Sequence, residues 1–344
     1  MLPQKKLSII VPAFNEEKNI PEIARRLEPI QTALLERGVD MELILVDDHS
    51  TDSTPAVARR LVAANRHVGY FRLSRNCGSH IACAAGLDHC TGDAAIIMAA
   101  DLQDPPEVIL EMAAAWSQGN DVVWAVRSAR EGEAWTTLLS SWLFNSMMRS
   151  AFRDLPRKGA DFVLLSRRVI DAYNAMHEKN TNVNLAIRWI GFRQTSFEYV
   201  KKARFAGRSG FSLGKKIKVF VDSVVSYSYA PLRLISILGL GLIATALICA
   251  VAAVVGRFFG LFASGLWIVL ALILLLAGQG AILTALGILG EYTWRALDEV
   301  RGRPRYIIEE SSTPGQRPEP AGEPVFDGYR VGESRIDEAR GAVS

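Results

Sequence analysis

Sulfur and imidazole are scarce in this chain. Its 344 residues hold four cysteines (Cys77, Cys83, Cys90 and Cys249) and five histidines. No two cysteines form a C-x-x-C pair, so the spacing fits neither a structural zinc site nor a disulfide framework. The cysteines read as reduced, structural residues in a cytoplasmic setting. Strong net charge is also lacking. The formal balance is +3, which provides no global field for nucleic acid. No internal repeat is evident. The opening stretch MLPQKKLSIIVPAF has no signal-peptide cleavage site, and its apolar run breaks at Pro12 and Asn15, so it reads as a first strand.

Charge is missing altogether from two long apolar runs, Leu234 to Gly256 and Leu266 to Gly290. Each exceeds the roughly 20 residues that span a bilayer. The short RFFGLFASG between them allows only a tight turn, which predicts a helical hairpin with both flanks on one side. The approach carries Lys201, Lys202, Arg204, Arg208, Lys215, Lys216, Lys218 and Arg233; the exit carries Arg295, Arg301, Arg303 and Arg305; the turn carries Arg257. This bias puts both flanks and the N-terminal domain in the cytoplasm, on an integral inner-membrane protein. A buried hairpin of a water-soluble protein is the alternative. KKIKVFVDSVVSYSYAPLR ahead of the first run reads as an interfacial amphipathic helix on anionic headgroups, or as an ordinary amphipathic helix packed on the domain. The tail after Glu310, rich in Pro, Gly and charge, is expected to be disordered. The expected organisation is a globular domain over 1–212, an interfacial segment over 213–232, transmembrane helices over 233–257 and 265–291, and a partly disordered cytoplasmic tail over 292–344.

The first two hundred residues alternate short apolar runs with helical patterns. LSIIVPA, MELILVDD, GYFRLS, AAIIMAA, DVVWAV and TSFEYV are the expected strands. Such alternation predicts an α/β fold with a mainly parallel sheet covered by helices on both faces.

Ligands of such sheets bind beyond the carboxyl ends of the strands, and these ends are polar. Pro12, Asn15 and Glu16 follow the first strand, and Asp47 and Asp48 close the second. Carboxylates there suit a base N–H or ribose hydroxyls. Arg75, Asn76 and Gly78 follow the third strand, and an Arg beside a Gly turn suits phosphate. Asp101 and Gln103 follow the fourth. They offer hard oxygen ligands for Mg2+ or Mn2+ bridging phosphates. Asp104 reads as the cap of a helix that begins with Pro105 and Pro106. Any one of these groups alone reads as a cap or turn residue; four polar ends on one sheet edge point to a site.

SIIVPAFNEE, ILVDDHSTDST, LSRNCGSHIACAAGL and MAADLQDPPE resemble successive blocks of the family 2 glycosyltransferases of GT-A, Rossmann-like fold. KGADFVLLSRRVIDA, ARFAGRSGFSLGKK and the two apolar runs resemble the polyisoprenyl-phosphate glycosyltransferases, relatives of dolichol-phosphate mannose synthase and of bacterial undecaprenyl-phosphate sugar transferases. The resemblance covers about residues 5 to 300. It implies transfer of a sugar from a nucleotide-sugar to a polyprenyl phosphate at the cytoplasmic membrane face. It also implies membrane lipids as partners and no nucleic acid; a homo-oligomer stays open.

By the same resemblance, Pro12, Glu16 and Asp48 match nucleoside contacts, with Asp47 beside them. Asp101 and Gln103 match the end of D-x-D-x-Q, the metal and diphosphate site. Arg127 matches an arginine near phosphate, and Asp161 an acid beside the reacting centre. Arg204 and Ser209, in R-x-x-G-x-S, match the acceptor-phosphate motif. The sequence departs from the pattern at Ala99, where relatives have the first Asp, and at His49 and Ser79, where relatives commonly have Gly and a basic residue.

A phosphate monoester has a second pKa of about 6 and is mostly a dianion near neutral pH, so it attacks without a general base. The implied reaction is therefore an inverting displacement, with Asp101, Arg127 and Arg204 neutralising charge and Asp161 positioning. The alternatives are another lipid or polysaccharide acceptor, or a catalytically silent lipid-binding scaffold. A processive synthase would want Gln where LAIRWIG has Leu185. The sugar is not legible.

Overall fold

The computed structural model describes residues 5–127, 162–176, 182–200, 230–259, 264–315 and 325–326. These fall into two compact units.

The first unit is built on one mixed sheet. Its parallel strands are β1 (Lys5–Ala13), β2 (Val39–Asp47), β3 (Val68–Leu73), β4 (Ala94–Ile97), β5 (Val122–Arg127) and β7 (Gln194–Tyr199). All six correspond to expected strands. Three more were not anticipated: β6 (Phe162–Ser166), β8 (Ile307–Ser312) and β9 (Val325–Phe326). The order is β7-β5-β6-β4-β1-β2-β3-β8-β9. β6 runs antiparallel between β4 and β5, and β8 runs antiparallel to β3. Leu7 to Val11 are buried without interruption, as a strand covered on both faces requires.

Helix α1 (Asn19–Leu35) contacts both α2 (Thr54–Ala64) and α4 (Val108–Ser117) on one side. Leu7, Ile9 and Val11 meet Ile20, Ile23 and Leu27 there in one apolar core. Helices α3 (Ser79–His89), α5 (Arg167–Asn174) and α6 (Val183–Ile190) form the second layer. α3 lies so close to the sheet that a Cβ on Gly86 would come within 2.2 Å of Ile10 Cγ2. The mainly parallel, doubly covered sheet agrees with the sequence expectation.

Two expectations are corrected. α4 begins at Val108, and Asp104 does not cap it. Asp104 is buried, and its carboxylate instead accepts a hydrogen bond from the Tyr199 hydroxyl. The disorder expected after Glu310 does not hold for Ser311 and Ser312, which complete β8, nor for Val325 and Phe326, which form β9.

The second unit contains α7 (Ala230–Phe258) and α8 (Ser264–Val300), which pack on each other. Both are longer than the expected spans, and α8 continues well past residue 291. Large apolar side chains on both face outward, among them Ile243 (67% exposed), Ile248, Val254, Leu283 and Leu286. Among the described residues only Gly239–Gly256 is long and apolar enough to cross a membrane. The expected pair of spanning helices is therefore supported for the first helix only. The expected interfacial segment lies outside the described residues up to residue 229.

Candidate functional site

Parallel register brings the strand ends together. Ala13 pairs with Asp47, Asp47 with Arg72, and Ile10 with Ile97. The loops after β1, β2, β3 and β4 thus open on one edge. Pro12 is tolerated in β1 because pairing with β4 stops at Ile10, so no ladder bond needs its missing N–H.

Two of these loops are latched by exchanged hydrogen bonds. The Asn15 side-chain oxygen accepts from Thr51 N at 2.8 Å, and Asn15 N donates to Ser50 Oγ at 2.9 Å. Glu16 N donates to Thr54 Oγ1 at 2.8 Å, and Ser53 N to a Glu17 oxygen at 3.0 Å. The Glu16 carboxylate accepts from the Asn19 amide.

The structure gives Asp47 a different part from the expected ligand contact. It is 1% exposed. It accepts from Ser50 N at 2.8 Å, the Tyr70 hydroxyl at 3.0 Å and Arg72 Nη1 at 3.1 Å. Burial and the Asp47 charge push the Tyr70 phenol far above its ordinary range, so it stays a proton donor here. Asp48 holds the next loop, accepting from Cys77 N at 2.6 Å and Gly78 N at 2.9 Å. Gly78 has φ 95°, a left-handed backbone that favours glycine. Asn76 donates to Asp48 O at 3.2 Å, while Arg75 is exposed.

Asp101 is half-buried in the turn beyond β4, and Gln103 N donates to its Oδ1 at 3.2 Å. Between them Leu102 is buried with φ 56°, an outlier for a branched side chain. Among the described residues four non-glycines have positive φ, and three of them (Asn15, His49 and Leu102) lie in these loops. Strain of this kind persists where surrounding contacts impose it, and it concentrates at functional sites. Arg127 ends β5 and is half-buried. Asp161, Arg204 and Ser209 lie outside the described residues.

No cluster of three or more His, Cys, Asp or Glu side chains that could hold a metal occurs among the described residues. Asp101 and Gln103 nonetheless fit a hard cation that takes its other ligands from phosphates and water. All four cysteines are free, and burial pushes the Cys90 thiol up to about 11, consistent with structural thiols. Sequence reasoning did not single out Tyr70, Arg72 and Leu102. Their roles depend on cross-strand register and backbone angle, which leave no local signal.

Fold and site together define an α/β protein with polar loops gathered beyond the carboxyl ends of its parallel strands. The chain belongs to glycosyl transferase family 2, which its residues 8–174 match. It is 36% identical over 305 residues to the uncharacterized glycosyltransferase YkcC of Bacillus subtilis, covering 88% of this chain and 93% of that one. It is 33% identical over 307 residues to the uncharacterized glycosyltransferase sll0501 of Synechocystis sp., covering 89% and 95%. Among solved structures, glucosyl-3-phosphoglycerate synthase from Mycobacterium tuberculosis, in complex with Mn2+ and UDP-glucose, aligns with 63% of this chain and 76% of its own. That match has 18% identity and a TM-score of 0.45, too distant to bear on the site.

Proposed function

We propose that the protein transfers a sugar from a nucleotide-sugar to a polyprenyl phosphate at the cytoplasmic face of the inner membrane. The observation that carries this reading is the outward-facing apolar surface of α7 and α8 in the same chain as a family 2 glycosyltransferase unit. Such a surface is stable in lipid and costly in water. An acceptor whose chain stays in the bilayer explains why the enzyme would be anchored there. The proposed organisation keeps the catalytic domain over 1–212, an interfacial segment over 213–232 and two membrane-spanning helices.

In this reading the nucleoside lies over the latched loops after β1 and β2, with Pro12, Glu16 and Asp48 at its edge. The diphosphate lies near Asp101, Gln103, Arg75 and Arg127. Bound Mg2+ or Mn2+ would supply electrophilic stabilisation of the leaving diphosphate. Asp101 and Gln103 would hold it. Arg204 and Ser209 take the acceptor phosphate, and Asp161 orients it without acting as base.

The test is incubation of membranes containing the protein with radiolabelled nucleotide-sugars. Label should enter a lipid fraction released by mild acid. Label appearing only in polysaccharide, in a diacylglycerol-type lipid or in water-soluble product would overturn the acceptor assignment.

A further inference from the structure

Residues 301–306 lead the chain from α8 into β8. Several contacts hold this strand on the sheet. Arg59 Nε and Nη2 each donate to a Glu310 oxygen at 2.7 Å. The Tyr306 hydroxyl donates to Asp88 at 2.7 Å, and Arg305 lies 3.5 Å from the same carboxylate. Ile308 is buried. These contacts account for a strand that merely covers the edge of β3.

Glu309 reaches further. Its Oε2 lies 3.1 Å from Arg72 Nε and 3.5 Å from His49 Nδ1. Arg72 in turn donates from Nη1 to Asp47 at 3.1 Å and from Nη2 to Ser50 O at 3.3 Å. A guanidinium is a rigid planar fork, so holding Nε from one side aims both Nη groups. His49 sits between the two residues that Arg72 grips. Its φ is 60°, and its Nδ1 is 3.1 Å from Leu73 O. A side chain in the left-handed region crowds its own backbone, so this conformation must be held by neighbours. The Leu73 carbonyl is within hydrogen-bond distance of His49 Nδ1, and the Glu309 carboxylate lies beside it. One carboxylate from β8 therefore touches both side chains that shape the loop after β2.

We propose that Glu309 is a positioning residue for the donor: through Arg72 and His49 it keeps the loop after β2 in the form that binds a nucleoside diphosphate. The proposal rests on reading the carboxyl edge as the donor site. It makes the segment following α8 part of donor recognition as well as an edge cover. Glu309 is half-exposed, so its replacement leaves the core intact.

Calorimetric titration of the full-length, detergent-solubilised protein with UDP, GDP, CDP and dTDP, each with magnesium chloride, tests it. At least one diphosphate should bind, and Asp101→Asn should weaken it. Glu309→Gln keeps the size and removes the charge. It should raise Kd about fivefold, the scale of one coupled ionic contact. Tyr306→Phe, which loosens the same strand without touching Arg72 or His49, should lower the melting temperature and leave Kd unchanged. An unchanged Kd in Glu309→Gln, alongside weakening by Asp101→Asn, would overturn the positioning role and leave the donor site standing. Equal weakening by Tyr306→Phe would overturn it too, reducing Glu309 to general bracing. Failure of all four diphosphates to bind would remove the donor-site reading and this inference with it.

Discussion

Glu42 and Asp101 are carboxylates of the same sheet, one toward its amino edge on β2 and the other just past the carboxyl end of β4. Glu42 is 0% exposed. It accepts from Ser8 Oγ at 2.5 Å, Thr91 N at 2.8 Å and Thr91 Oγ1 at 2.8 Å, and pairs with Lys6 Nζ at 2.5 Å. Asp101 is half-buried in a turn forced into a left-handed angle. A carboxylate saturated by its own protein has no room for a ligand and serves stability. One half-buried in a strained turn gives up some stability and can meet a ligand. Glu42 shows the first arrangement, and so does Asp47 at the carboxyl edge; the turn that carries Asp101 fits the second.

The largest expected effect falls on the amino edge. Glu42→Ala leaves the buried Ser8 hydroxyl and the Thr91 N–H without an acceptor and takes the carboxylate from the partly exposed Lys6 ammonium, and should destabilise the protein by about 3 kcal/mol. Urea unfolding measures this; a midpoint near wild type would erase the contrast. At the carboxyl edge the currency is turnover. Asp101→Asn should lower it about a hundredfold, equivalent to about 2.7 kcal/mol, with little change in thermal stability. Full activity in that variant, or in wild type after chelation, would remove Asp101 from the chemistry. Arg204→Lys extends the test to the acceptor side. A bidentate contact to the reacting phosphate should cost about tenfold in turnover when lost, or about 1.4 kcal/mol, without release from the membrane. A headgroup contact would cost far less.

The smallest effect is on pH dependence. Burial alone would raise the Glu42 carboxyl, but hydrogen bonds from Lys6, Ser8 and Thr91 outweigh it and hold it below the usual carboxylate range. A lowered native pKa means the unfolded chain binds the proton first. The stabilisation is thus present above about pH 4.5 and lost as pH falls through the native value. Glu42→Gln should flatten the acid limb of stability, seen in urea midpoints at descending pH. An equally steep limb in that variant would assign the acid sensitivity to other groups.

Much of the carboxyl edge was legible beforehand, because a polar group at the end of an apolar run is a local pattern. The positions of Asp48, Asp101 and Gln103 at that edge were readable in this way. Asp47 shows the limit: it is buried like Asp48 beside it, and only Tyr70 and Arg72 on the neighbouring strand reveal that it braces the loop. Two apolar helices make the same point. α4 and α7 are both rich in large hydrophobic residues. Val108, Ile109 and Met112 of α4 are buried in a core, whereas Ile243, Ile248 and Val254 of α7 are exposed. Length separated them in the sequence, since ten residues cannot cross a bilayer and twenty-nine can.

The sequence by itself determined the parallel strands, the helices between them, the polar carboxyl edge and the apolar character of α7 and α8. Each follows from a hydrophobic period or a run length, which act over a few residues. Only the tertiary structure decided that β6 enters antiparallel between β4 and β5, that β8 returns to the edge of β3, and that Asp47 turns inward. It also decided that His49 and Leu102 take left-handed angles. These outcomes depend on which distant backbone groups find each other, as where Arg72 meets Glu309 across 237 positions of chain. Pairing energy of that kind is collected only when the whole sheet closes, so no local stretch of sequence carries it.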